Sequence, residues 1–303
     1  MKQKVISFTA LLLLITLTVG IISAAAKNGS GCPIAENLEI STYREVSVEG
    51  RLKAADPDGD ALTYEITTHP IKGEIELSED GRFVYTPNVG KRGKDYFGYK
   101  ATDINGNMSS EATVIIKIEK QQTAVSYSDM SGNGAHCAAI ALAEKGIFVG
   151  EQIGGQYVFC PSASVSRGEF LTMCMKLSET NVLSGVKTTG FADDNEIPDY
   201  MKPYVSTALL TGVISGYTDG MSTAVFNGNN SISYPEAAVI LSKSLKLTDV
   251  TAKSYGDTAP VWAAQACANL SACRIADYED EVQLNRADCA KLLLGAMRVL
   301  ENR

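Results

Sequence analysis

A repeat with a period of 64 residues constrains the second half of this 303-residue chain more than any other feature. Three segments open with an aromatic residue, one variable residue and an aspartate, and these aspartates stand 64 residues apart at Asp129, Asp193 and Asp257. An alanine-rich stretch with helical spacing follows each aspartate, and a second short helix is predicted further on. A fixed period of this length indicates a structural unit that packs against copies of itself. We therefore predict three copies, at residues 125–180, 188–247 and 252–301.

Further motifs recur inside the copies. Gly146 and Gly212 follow the predicted first helices of copies 1 and 2. Trp262 and Tyr200 occupy equivalent positions in copies 3 and 2, where copy 1 has Gly134. Together with the aspartate triplets, these motifs resemble the S-layer homology (SLH) family, which has a Trp-Ala first helix, a Gly-Ile turn and an Ile-Thr-Arg-Ala-Glu second helix. The resemblance implies a mainly α-helical unit with pseudo-threefold symmetry, in which one helix of each copy meets on a central axis.

The resemblance also implies a partner, which is a pyruvylated secondary cell-wall polysaccharide on the surface of a Gram-positive-type bacterium. A guanidinium group binds a carboxylate through two hydrogen bonds, and backbone N–H groups at a helix terminus support the same charge. An aromatic ring covers the apolar face of a sugar, and a carboxylate accepts from its hydroxyl groups. The candidate polysaccharide-binding residues are Arg167, Arg286, Trp262, Tyr200, Asp129, Asp193, Asp257, Gly146 and Gly212. Copy 2 has Tyr234 at the arginine position, so we predict weaker binding there.

Each candidate also has a purely structural interpretation. Ser166 and Asn285 are typical helix N-caps, and Glu169 stands three residues after Ser166, as in a capping box. The two arginines would then be ordinary residues of a first helical turn. The three aspartates would cap the first helices, and Tyr200 and Trp262 would belong to the core.

The segment from residue 33 to residue 120 has the pattern of an all-β domain. Segments 62–67, 82–86 and 113–118 are rich in β-branched and aromatic residues, and clusters of Asp, Asn and Gly separate them. Short strands at this spacing predict a β-sandwich. The order of motifs, above all between Phe83 and Asp103, resembles a bacterial Ig-like or cadherin-like repeat. The fold class is therefore multidomain, with an Ig/cadherin-like sandwich followed by the helical SLH repeats.

Two turns of this domain are rich in acidic side chains. Calcium prefers six to eight oxygen ligands, and in cadherin-like relatives such residues hold Ca²⁺. The candidate ligands are Asp56, Asp58, Asp60, Asp103 and Asn105. An EF-hand is disfavoured because Thr67 replaces the glutamate expected at the twelfth loop position. The alternative interpretation is a solvated turn without metal. Apart from calcium, the sequence indicates no cofactor.

The N-terminus predicts export. Lys2 and Lys4 precede an apolar core, and small residues follow it, so residues 1–26 have the pattern of a secretory signal peptide. The alternative is an uncleaved membrane anchor, because the apolar core approaches the length of a membrane span. After cleavage we expect no membrane span and a secreted, wall-associated protein.

Composition excludes several functions. The net charge of −8 disfavours nucleic acid, which needs a basic surface. The chain has two histidines and no Ser/His/Asp or Cys/His arrangement, so we predict that it is not an enzyme. Its seven cysteines cannot all pair within one molecule, and most stand among apolar residues, which indicates free buried thiols.

These observations favour a non-catalytic surface protein that SLH repeats anchor to the wall and that displays the small β-domain. Two other functions stay open. The chain would be a structural S-layer or envelope component if it assembles laterally, with the β-domain as a lattice contact. It would be an adhesin or carbohydrate-binding module if the β-domain binds glycans or host proteins. A third interpretation is a decayed scaffold without affinity for sugar.

Overall fold

A computed structural model describes residues 31–218, 224–251, 259–278 and 282–302. The chain divides into two compact units: the first ends at Lys120, and the second begins at Gln121 and also includes Val46–Val48. The predicted signal peptide at 1–26 and the third aspartate, Asp257, lie outside the described residues. Within the described ranges, none of the helices is both long enough and apolar enough to cross a lipid bilayer.

The first unit is built from two larger β-sheets, as the sequence predicts, and one small sheet. The strands are β1 (Ile34–Ala35), β2 (Leu38–Tyr43), β3 (Val48–Arg51), β4 (Ala54–Ala55), β5 (Thr63–Thr68), β6 (Gly73–Leu77), β7 (Arg82–Pro87), β8 (Gly93–Thr102) and β9 (Ala112–Glu119). One larger sheet has four strands in the order β2-β9-β8-β5, with β2 parallel to β9, and the other has three in the order β3-β7-β6, while β1 pairs with β4 in the small sheet. The predicted strands at 62–67, 82–86 and 113–118 are confirmed as β5, β7 and β9.

The core of this unit follows from the alternation of side chains along its strands. In β7 and β9 every second residue is buried, because successive side chains of a strand point to opposite faces. Phe83 of β7 and Phe97 of β8 belong to different sheets, and their ring centroids lie 5.1 Å apart at an interplanar angle of 79°. Edge-to-face contact of this kind stabilises a core beyond the burial of apolar area. The two sheets therefore face each other, as in a sandwich.

One carboxylate lies inside this sandwich. Asp95 is fully buried, and it accepts hydrogen bonds from the Tyr85 hydroxyl at 2.8 Å and from the backbone N–H groups of Ile71 at 3.2 Å and Lys72 at 2.8 Å. Burial raises the pKa of Tyr85 well above its usual value, and the hydrogen bond to Asp95 raises this pKa further. The carboxylate thus joins the loop before β6 to strands β7 and β8.

The second unit is mainly helical and repeats one arrangement. Each copy contributes a first helix and a second helix, and in copies 1 and 2 a short antiparallel hairpin lies between them. The helices are α1 (His136–Glu144), α2 (Arg167–Leu177), α3 (Lys202–Leu210), α4 (Tyr234–Ser244), α5 (Ala264–Ala272) and α6 (Arg286–Glu301). The remaining elements are β10 (Glu151–Ile153), β11 (Gln156–Val158), β12 (Tyr217–Thr218), β13 (Ala224–Val225) and a 3₁₀ helix (Asp194–Glu196).

Each second helix begins with a capping box. In α2 and α6 the side chain of the N-cap residue accepts from the backbone of the third helical residue, whose own carboxylate accepts from the N-cap backbone. In α4 the backbone and the hydroxyl of Ser233 both donate to Glu236 Oε2. The predicted N-caps Ser166 and Asn285 are confirmed. The pairs are Ser166–Glu169, Ser233–Glu236 and Asn285–Asp288. The same local signal therefore starts α2, α4 and α6 and fixes the direction in which each helix leaves the loop.

The copies are joined in a cyclic order. Each first helix packs against the second helix of another copy, α1 on α6, α3 on α2 and α5 on α4. Three backbone hydrogen bonds follow the same cycle. Ile232 N–H donates to Val165 O at 2.9 Å, Leu284 N–H to Ile232 O at 2.9 Å, and Val165 N–H to Leu284 O at 3.4 Å. These three residues each precede the N-cap of a second helix, so a closed ring of hydrogen bonds joins equivalent positions.

The seven cysteines are free thiols, and the prediction that they are buried holds for four of them. Cys137, Cys174, Cys267 and Cys289 are buried, whereas Cys32 is exposed and Cys160 and Cys273 are partly exposed. Burial raises the pKa of Cys267 to about 11, and it raises the pKa of Cys174 and Cys289 further, with the neighbouring Cys289 adding to the effect at Cys174.

Alkylation with iodoacetamide at pH 8 is therefore expected to modify Cys32 first and to leave Cys174, Cys267 and Cys289 unmodified until denaturant is added. Thiolate is the reactive form, and a buried thiol with a raised pKa supplies very little of it. Mass spectrometry of tryptic peptides measures the modification of each cysteine. Labelling of Cys174 in native buffer at the rate found for Cys32 would contradict the packing of α2 against α6.

Candidate functional site

A cavity of about 210 Å³ lies in the second unit where the three copies meet. It brings together two of the predicted residues, Arg286 of copy 3 and Tyr200 of copy 2, against a wall supplied by copy 1. The residues that give the cavity its chemistry are Phe148, Phe159, Glu169, Lys176, Tyr200 and Arg286. Two cations, one carboxylate and three aromatic rings thus surround one small space, which no single copy could form.

The guanidinium group of Arg286 reaches from α6 into copy 1. Its Nη1 donates to the backbone oxygen of Phe159 at 3.1 Å, and its Nη2 donates to Glu151 Oε1 at 2.9 Å. The group also lies 5.3 Å from the centroid of the Phe148 ring. The side chain of Glu151 is 53% exposed, so this ion pair is at the surface and contributes little to stability. We call this arrangement the Arg286 junction.

The side chain of Arg167 extends from copy 1 into copy 2 in the same way. Its Nη1 lies 3.4 Å from Glu236 Oε1, and the guanidinium lies 4.9 Å from the centroid of the Tyr217 ring and 5.6 Å from that of the Phe226 ring. Arg167 is 8% exposed, and its Nε is buried without a hydrogen-bond partner among the described residues. We call this arrangement the Arg167 junction.

Glu236 is held firmly in the Arg167 junction. Its Oε1 accepts from the Tyr217 hydroxyl, and its Oε2 accepts from the backbone and hydroxyl of Ser233, both at 2.9 Å. Burial alone would raise the pKa of Glu236, but these hydrogen bonds and the charge of Arg167 outweigh it and lower this pKa. Burial raises the pKa of Tyr217 to about 12, and the hydrogen bond to Glu236 adds to the rise. The carboxylate is therefore ionised at neutral pH.

Copy 2 has no arginine at the position from which Arg167 and Arg286 contact another copy. Tyr234 stands at the equivalent position at the start of α4, and its ring meets that of Tyr278 with centroids 5.6 Å apart. This contact follows the same cyclic order as the two arginine junctions. Two aromatic rings replace a cation here, so the contact lacks the charge that a carboxylate ligand needs.

Asp129 and Asp193, the first two aspartates of the repeat, accept hydrogen bonds from the backbone of their own copies. Each carboxylate accepts two N–H groups of the loop that follows the hairpin. The donors are Phe159 at 2.9 Å and Cys160 at 2.6 Å for Asp129, and Phe226 at 2.8 Å and Asn227 at 2.7 Å for Asp193. The interpretation that they cap the first helices is wrong, because α1 and α3 have no side-chain cap. They instead fix the loop that leads to the ring of backbone hydrogen bonds between the copies.

The remaining predicted residues lie at the surface or in turns. Gly146 and Gly212 directly follow the C-caps of α1 and α3, with φ values of 65° and 74° that favour glycine. Both glycines therefore end a helix. Tyr200 is 66% exposed and Trp262 is 61% exposed, so the interpretation that places them in the core is wrong. Tyr200 lines the cavity, whereas Trp262 is not part of its wall.

The predicted calcium ligands form two adjacent turns in the first unit. Asp56 Oδ1 accepts from the N–H groups of Asp58 at 2.9 Å and Asp60 at 3.1 Å, and Asp103 Oδ1 accepts from Asn105 N–H at 2.8 Å. Asn105 Nδ2 donates to Asp60 Oδ2 at 3.0 Å, which joins the turns. Within the described ranges, no three His, Cys, Asp or Glu side chains converge as metal ligands would. These side chains thus serve as turn formers, and calcium binding stays a prediction.

Reasoning from the sequence missed the aromatic and acidic partners of the arginines. Phe159 and Phe226 stand eight residues before the first residue of α2 and α4, and this equal spacing was a usable signal. Glu151 and Tyr217 open the equivalent hairpins of copies 1 and 2 and so occupy matching positions. No sequence signal distinguished Glu169 from Glu236, because both stand at the same capping-box position.

Comparison with known proteins agrees with this architecture at the level of domains. A family model described as a bacterial cadherin-like domain matches residues 32–120, and one described as an S-layer homology domain matches residues 190–238. No curated protein matches the chain.

Several solved structures share a weak likeness. An endo-fucoidan hydrolase from glycoside hydrolase family 107 is 19% identical over 30% of this chain and 16% of its own, with a TM-score of 0.25. A mutant of the SrpA adhesin from Streptococcus sanguinis is 19% identical over 34% of this chain and 63% of its own, with a TM-score of 0.25. The chain thus spans less than two thirds of these relatives, and TM-scores this low support no conclusion. The family matches carry more weight: residues 32–120 are similar to bacterial cadherin-like domains, and residues 190–238 are similar to S-layer homology domains.

Proposed function

We propose that this chain is a non-catalytic bacterial surface protein that three SLH copies hold on the cell wall by non-covalent contacts. The S-layer homology match over residues 190–238 supports attachment to the wall, and the cadherin-like match over 32–120 supports display of a spacer or adhesive domain. The observation that carries the proposal is the cavity in which Arg286 meets an exposed aromatic ring. Export through the signal peptide at residues 1–26 completes the proposal.

Copies 1 and 3 belong to this proposal although the family model matches copy 2 alone. Three observations support them as SLH copies with a pseudo-threefold arrangement. The capping boxes recur at the start of α2, α4 and α6, the helices pack in a cyclic order, and the hydrogen-bond ring joins equivalent residues of each copy. An arrangement of this kind places every junction between two copies.

The ligand that we propose is a sugar unit carrying a carboxylate, as in a pyruvylated wall polysaccharide. The guanidinium group of Arg286 donates to such a carboxylate in place of the exposed Glu151, and Lys176 adds a second positive charge to the cavity. The exposed ring of Tyr200 covers the apolar face of a sugar. A cavity of about 210 Å³ is smaller than the roughly 300–1,000 Å³ of pockets for drug-sized ligands, so it accepts one sugar unit rather than an oligosaccharide.

Replacement of Arg286 by alanine is expected to weaken binding to purified wall sacculi by about 10- to 100-fold, which corresponds to the loss of a charge-assisted hydrogen-bonded pair. Co-sedimentation over a range of protein concentrations measures the affinity. Arg298 is an exposed arginine of the same helix, so Arg298→Ala is the matched control and should bind as the parent does.

Sacculi from which the pyruvylated polymer has been removed should bind neither the parent nor the control. Equal binding of Arg286→Ala and the parent would contradict the proposed site. Equal binding to intact and stripped sacculi would contradict the proposed ligand.

A further inference from the structure

Arg167 and Arg286 stand at equivalent positions of their copies, yet their junctions differ in how exposed the paired carboxylate is. The carboxylate beside Arg286 belongs to Glu151, whose side chain is 53% exposed. The carboxylate beside Arg167 belongs to Glu236, whose side chain is 19% exposed. A surface ion pair exchanges readily for another anion, whereas a buried one does not.

The difference originates in one pair of matching positions. Copy 1 has Glu151 at the start of its hairpin, and copy 2 has Tyr217 there. The Tyr217 hydroxyl donates to Glu236 Oε1, and its ring lies over the guanidinium of Arg167. The tyrosine hydroxyl and the guanidinium therefore contact the same carboxylate oxygen of Glu236, which Ser233 holds through its other oxygen.

The equivalent glutamate of copy 1 behaves differently. Glu169 Oε2 accepts from the Ser166 backbone at 2.8 Å, and the residue is exposed at the wall of the cavity. The guanidinium of Arg286 instead uses Glu151 and a backbone oxygen. Glu169 thus does not cover Arg286, and the space in front of that arginine is the cavity itself.

We propose that, of the two junctions with an arginine, the Arg286 junction binds an anionic sugar and the Arg167 junction is closed by Glu236 as a built-in carboxylate. This inference rests on the proposed function. A sugar carboxylate at the Arg167 junction would have to displace Glu236 and leave this partly buried carboxylate without its counter-charge, which is unfavourable. The chain would then bind one acidic sugar unit, with the Arg167 junction serving to hold copies 1 and 2 together.

Calorimetric titration of the full chain with a methyl hexopyranoside carrying a 4,6-linked pyruvate ketal tests this inference. We expect one binding event per chain for the parent. Arg286→Ala should weaken that event by about 10- to 100-fold. The double variant Glu236→Gln/Tyr217→Ala removes both the closing carboxylate and the covering ring, and we expect it to show a second binding event. Glutamine keeps the hydrogen-bonding capacity that the capping box requires.

Tyr217→Ala alone is the matched control. Ser233 and Arg167 still hold the Glu236 carboxylate in this variant, so it should bind one sugar, as the parent does. Two binding events in the parent, or one in the double variant, would overturn the inference and leave the proposed function standing. Thermal unfolding and circular dichroism are recorded for each variant, so that a misfolded protein is not mistaken for a closed junction. Absence of binding by the parent would overturn the inference and the proposed function together.

Discussion

Replacement of Asp95 by alanine is expected to lower the free energy of unfolding of the first unit by about 3–5 kcal/mol, because it leaves hydrogen-bond donors unsatisfied and opens a cavity. The carboxylate is fully buried and accepts from Tyr85, Ile71 and Lys72. Its removal leaves three buried or half-buried donors without an acceptor and opens a cavity beside the aromatic core. A loss of this size is a large fraction of the stability of a small domain.

Hydrogen exchange followed by mass spectrometry measures this loss separately for each unit. Peptides from β7 and β8 should exchange much faster in Asp95→Ala, whereas peptides from α2 and α4 should keep their protection. Glu74 is an exposed carboxylate of β6, so Glu74→Ala is the control and should change stability by less than about 0.5 kcal/mol. Equal protection of β8 in the parent and in Asp95→Ala would show that the carboxylate does not hold the sandwich together.

Replacement of Asp193 by alanine is expected to destabilise the second unit by about 3 kcal/mol, because its carboxylate accepts two backbone N–H groups at 2.8 and 2.7 Å. These bonds fix the loop that runs from Phe226 to Ile232, a member of the hydrogen-bond ring. Below the lowered melting temperature the variant should bind wall sacculi as the parent does, since the carboxylate is engaged by the backbone rather than facing the cavity.

Thermal unfolding and co-sedimentation with sacculi test the two parts of this prediction. Asp199→Ala in the same copy is the control, because its side chain is fully exposed and makes one surface ion pair. A normal melting temperature with lost sacculus binding would identify Asp193 as a ligand residue. A lower melting temperature with retained binding supports its structural role.

The sequence by itself predicted three strands of the first unit and the helices of each copy, for local reasons. Enrichment in β-branched and aromatic residues between turn-forming clusters identified β5, β7 and β9, since such side chains favour strands. The capping motifs located the start of α2 and α6 because an N-cap depends on residues only three positions apart. The period of 64 residues predicted that equivalent residues would recur in equivalent places, and the hydrogen-bond ring at Val165, Ile232 and Leu284 has this form.

The partners of the arginines could not be predicted in the same way. Arg286 contacts Glu151, which stands far earlier in the chain, and Arg167 contacts Glu236 of the next copy. These contacts depend on how the copies pack against each other. The aspartates show the same limit, because a residue just before a helix is a plausible cap until the distant loop that it binds is known.

What the sequence determined is therefore the repeating unit, its elements and the kinds of side chain that each copy offers. What the tertiary structure decided is which of these side chains are available to a ligand. Glu169 and Glu236 occupy the same place in the same motif, yet one is exposed at a cavity and the other is partly buried against an arginine. The physical reason is that burial of a charge depends on its neighbours in space, and those neighbours come from a different copy.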